Sequence, residues 1–68
     1  MDYKKIDREK IMGYIASRGG ECPVEDIIRE SGAEKLRVYN ILFEEYLGGR
    51  IVNVKETQLG APEVVKLA

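Results

Sequence analysis

The 68-residue sequence contains no histidine and a single cysteine, Cys22. One thiol and no imidazole cannot assemble the usual zinc ligand sets, and no internal disulfide is possible. The commonest general base is missing. No glycine-rich phosphate loop is present, and Ser17 and Ser31 have no evident base partner. These absences predict neither an enzyme nor a chain with a metal or other cofactor. Nor does any apolar run approach the roughly 20 residues that cross a bilayer. The opening MDYKKIDREK lacks the apolar segment of a signal peptide. The expectation is a cytoplasmic protein with no membrane association. Repeats, low-complexity tracts and linkers are absent too, so residues 1–68 are expected to form one domain. A chain this short buries only about 60% of its unfolded surface and offers partners a face rather than a walled cavity.

Apolar residues make up 44% of the chain and charged residues 34%, a balance that argues against disorder. The net charge is −1, unlike the basic excess common in nucleic-acid-binding domains. Its distribution is uneven: residues 1–18 carry +2, 19–33 carry −3, 34–47 carry −1 and 48–68 carry +1. The acidic residues Glu21, Glu25, Asp26 and Glu30 read as a solvated face. Glu25 and Asp26 also suit the positive end of a helix dipole. Cys22 reads as a small buried hydrophobe.

Residues 1–6 form a lead-in. Asp7 is a plausible N-cap, with Ile6 and Ile11 placed as a hydrophobic staple, and predicts a first helix over 7–18. Ile11, Met12, Ile15 and Tyr14 give its apolar face, and Gly19-Gly20 ends it. "ECPV" is a short extended bridge. A second helix is predicted over 24–31, stopping at Gly32, and a third over 34–47, stopping at Gly48-Gly49. The expected core stripe of the third helix is Leu36, Tyr39, Leu42, Phe43 and Tyr46, widened by Val38 and Ile41. The β-branched runs 50–56 and 62–68, joined by a loop with Gly60, predict an antiparallel hairpin. Alternation leaves open whether Ile51 or Val52 and Val54 point inward.

This order and spacing resemble the winged helix-turn-helix family over roughly residues 7–68. Ile28 stands in the small-residue slot of the second helix, and the turn glycine Gly32 follows four later. Val38 comes six after it, then Leu42 and Glu45 in the leucine-like slots, Gly49 four on, and Ile51 two beyond. The resemblance implies an α+β fold: a three-helix bundle with a C-terminal antiparallel β-hairpin wing. Some residues depart from the pattern. Ile28 is larger than the usual alanine and should push the helices slightly apart. Pro23 replaces a capping threonine. Ser31 and Glu34 match a capping box that would start the third helix early. Glu45 replaces a leucine, with Tyr46 expected to fill its space while Glu45 turns to solvent.

The function implied is that of a small regulator of transcription that binds double-stranded DNA through its third helix. The residues expected to face outward from that helix are Glu34, Lys35, Arg37, Asn40 and Glu44. Arg37 suits a guanine edge, Asn40 an adenine edge and glutamate a cytosine amine, whereas Lys35 suits a phosphate. Arg50 and Lys55 of the hairpin and Lys4, Lys5 and Arg8 near the N-terminus are further candidates for the backbone. A competing expectation is a winged-helix module for homodimerisation or for a partner protein, without DNA affinity. In that case apolar residues beyond the needs of a small core, such as Ile41, Tyr14, Tyr3 or Leu59, would form an exposed patch.

Overall fold

The computed structural model describes residues 1–68 and has three helices and a three-stranded antiparallel sheet. Helix α1 spans Tyr3–Ser17, strand β1 Glu21–Pro23, α2 Val24–Glu30, α3 Lys35–Leu47, β2 Ile51–Glu56 and β3 Pro62–Leu67. None of the helices is long and apolar enough to cross a membrane.

Helix α1 begins earlier than expected. Its N-cap is Asp2, whose carboxylate accepts from the Lys5 amide at 3.0 Å, and residues 3–6 are helical rather than a lead-in. Asp7 lies within the helix and is buried, so it neither caps nor anchors a staple. Asp7, Ile11 and Ile15 follow at intervals of four and form the inward face. Gly19 and Gly20 both take positive φ, which reverses the chain into β1.

"ECPV" does more than bridge. Residues 21–23 pair with β3, Cys22 opposite Val65, and give the sheet the order β1-β3-β2. Cys22 is buried there, and burial raises its thiol pKa, as suits a packed thiol rather than a nucleophile. Helix α2 follows directly, with Glu25 and Asp26 in its first turn. The expected capping box at Ser31 does not form. The Ser31 hydroxyl accepts from the Ala33 amide, and Glu34 is itself the N-cap of α3, accepting from the Leu36 amide.

The core gathers Ile11 and Ile15 of α1, Val24 and Ile27 of α2, Val38, Ile41 and Leu42 of α3, and Ile51 and Val65 of the sheet. Each such side chain contributes roughly 1.5–3 kcal/mol when fully buried. On β2 it is Ile51 that points inward, while Val52 and Val54 face solvent. A register shift between Asn53 and Lys55 carries the hairpin past the core.

Helix α3 closes on Gly49, at φ +75, where an added Cβ would meet nothing within 4 Å. A substitution there should therefore cost backbone strain alone. Gly49→Val is expected to lose about 1–2 kcal/mol in a urea titration, because a β-branched residue is forced into the left-handed region. An unchanged midpoint would show that this turn relaxes freely.

Candidate functional site: the outward face of α3

The buried residues of α3 are Val38, Ile41, Leu42 and Glu45. At 3.6 residues per turn the opposite line is Leu36, Asn40, Phe43 and Leu47, flanked by Tyr39 and Tyr46. This corrects the expected core stripe. Leu36 is 91% exposed, Phe43 58%, Leu47 67%, Tyr39 49% and Tyr46 46%. Of the expected stripe only Leu42, Val38 and Ile41 enter the core, and Ile41 belongs to no surface patch. Tyr3 and Leu59 are exposed but lie outside α3.

The inward turn of Glu45 is the second correction. Its side chain is 1% exposed, and Tyr46 rather than Glu45 faces outward. Arg8 Nε stands 2.9 Å from the Glu45 carboxylate, and Arg50 Nε donates to it from the start of the hairpin. That pairing raises the Arg50 pKa. One carboxylate thus ties α1, α3 and β2 together. A leucine in this slot would pack the same place without linking them.

The expected DNA-reading strip divides. Arg37 and Glu44 do not lie opposite the core but flank it on the α1 side. Arg37 Nη1 donates to Asp7 at 2.7 Å, and its guanidinium lies 5.8 Å from the centroid of the Tyr3 ring. Glu44 accepts from Lys4 and, at 2.9 Å, from Arg8. The Lys4 hydrogen bond is the main cause of its lowered pKa. Glu34 is occupied as a cap. Lys35 and Asn40 remain exposed, with no ion pair or hydrogen bond from either side chain. Among the backbone candidates, Lys4, Arg8 and Arg50 hold the glutamates just described, Lys55 pairs with Glu63 at 3.1 Å, and Lys5 is exposed.

Beside this face, α3 and the hairpin border a cavity of about 130 Å³ that is open to solvent on one side. Phe43 and Tyr46 wall it on the helix side, and Asn53, Glu56 and Pro62 on the hairpin side. The Asn53 Oδ1 is buried without a hydrogen-bond partner, and no cation lines the cavity. The outward surface of α3 is thus an apolar ridge with two polar members, bordered on one side by aromatic rings and a carboxylate. No known protein family, curated protein or solved structure matches the chain.

Sequence reasoning missed the ridge because α3 is apolar almost all round. The signal available was the spacing of Leu36, Phe43 and Leu47, which repeats every seven and then four residues.

Proposed function

We propose that this chain is a winged-helix type of domain that docks to another protein through the outward face of α3. The element order, the glycine-terminated α2 and α3, and the hairpin after them support the winged-helix reading. The observation that carries the function is the composition of the ridge. Leu36, Phe43 and Leu47 occupy the line that a DNA reader would fill with hydrogen-bond donors. Arg37 and Glu44 are held against α1. Large apolar side chains in water favour a partner that covers them.

Anisotropy titration with labelled duplex DNA at low and moderate salt tests this reading. The expected result is no saturable binding at either salt. Binding that weakens with salt, at a log–log slope of about −0.9 per phosphate contacted, would return the α3 face to DNA and overturn the docking function.

A further inference from the structure

We infer that the partner seated on this face is a second copy of the chain, its α3 packed antiparallel on the first. The inference rests on the docking function proposed above and names the occupant. Residues 36, 40, 43 and 47 are spaced four, three and four apart, the seam of a two-helix coiled coil. That spacing reads the same from either end. When one helix is reversed, Leu36 meets Leu47 of the other copy and Asn40 meets Phe43, so one face satisfies itself about a twofold axis.

The area is of the right order. Large side chains of this kind present about 150–250 Å² each, so the exposed fractions of Leu36, Tyr39, Phe43, Tyr46 and Leu47 amount to roughly 600 Å² per copy. A standard interface covers about 800 Å² per partner. The stem of Lys35, Asn40 and the rim of the hairpin lie within reach of the difference.

Charge agrees with the same register. Neither copy brings an unpaired like charge to the seam, because Arg37 and Glu44 are neutralised on the α1 side. A twofold axis perpendicular to two antiparallel helices keeps the same flank of both copies on one side of the pair. The helical period sets Lys35 on the flank of Tyr39 and Tyr46, toward the hairpin. In the pair, Lys35 of one copy then lies opposite Gly48 of the other, beside its Tyr46 and toward Glu56. The unpaired cation of α3 thus meets a cavity rim that holds a carboxylate and no cation. Asn40 is the polar interruption of the seam and limits its strength.

Sedimentation equilibrium of the full chain, carried to millimolar concentration, tests the pairing. The wild type should follow a monomer–dimer equilibrium. Phe43→Asp should be monomeric throughout, with the melting curve of the wild type at dilutions where both are monomers, since Phe43 is not part of the core. Asn40→Leu should tighten the dimer roughly tenfold by making the seam apolar. Lys35→Glu and Glu56→Lys should each weaken it, and the two together in one chain should restore it. Failure of that restoration would overturn the antiparallel register. A dimer insensitive to Phe43→Asp, or a wild type monomeric at every concentration, would overturn the self-pairing itself. A monomer that ignores duplex DNA would leave the docking function standing with a different occupant. A monomer that binds duplex with the salt dependence described above would overturn both.

Discussion

A chain carrying both Arg8→Met and Arg50→Met is expected to lose about 3–5 kcal/mol of unfolding free energy. Addition of Glu45→Leu is expected to return most of it. The reason is the inward Glu45 carboxylate, which keeps 1% of its surface. Its compensation comes from Arg8 on α1 and Arg50 before β2. Either arginine alone leaves the other in place, so the single variants should lose less than half as much as the pair. With both gone, a charge remains in the core with nothing to balance it. Methionine keeps most of the arginine stem, so lost packing is a minor part of the change. A domain of this size holds roughly 0.05–0.15 kcal/mol per residue. The double variant should therefore sit near its unfolding midpoint in plain buffer. Urea titrations followed by circular dichroism would resolve all four chains. If the triple variant were no more stable than the double, the carboxylate would not be the cause.

Arg37→Ala is expected to destabilise the fold by about 2–3 kcal/mol, with a fall in melting temperature on the order of 10 °C or more. A DNA-reading role would predict the opposite pattern, a normal melting curve with weakened DNA binding. Arg37 is the ion-pair partner of Asp7, whose side chain is 7% exposed within α1. Removing the guanidinium leaves that carboxylate desolvated. The guanidinium itself is 42% exposed and can return to water, so Asp7→Ala should cost less than Arg37→Ala. The double variant Asp7→Ala/Arg37→Ala should be more stable than Arg37→Ala alone. Equal melting curves for Arg37→Ala and the wild type would mean that the pair contributes nothing.

The same two buried carboxylates, Asp7 and Glu45, explain where the sequence was legible and where it was not. Glycine stops, β-branched runs and the spacing of apolar residues are local signals, and they located α2, α3 and both hairpin strands to within a residue or so. The start of α1 was misplaced because Asp7 carries the local signature of a cap, whereas Asp2 is the residue that caps. Only a contact with Arg37, thirty residues away, decides that Asp7 turns inward. β1 has three residues, too few for alternation to register, and exists through its pairing with β3. The facing of α3 failed for a related reason. Its inner line of Val38, Ile41 and Leu42 is completed by the charged Glu45, while its outer line of Leu36, Phe43 and Leu47 is as apolar as a core. The arginines that make Glu45 acceptable inside come from other elements. The candidate site changed with it: Leu36, Phe43 and Leu47 join Lys35 and Asn40 on the outward surface, while Arg37 and Glu44 are drawn to the α1 flank.

The strand order β1-β3-β2 also bears on how the chain is made. β3 follows the other five elements in chain order, yet β1 and β2 each pair only with it. Until residues 62–67 leave the ribosome, the nascent chain holds three helices and two lone strands whose backbone groups are satisfied by water. Cys22 and Ile51 have no sheet to close over them during that interval. The helices rely on local contacts and can form early, while the sheet waits on contacts distant in sequence. Both of its seams depend on that one strand. Translation that stalls before Pro62 would release a helical, sticky intermediate, the kind of species that chaperones hold.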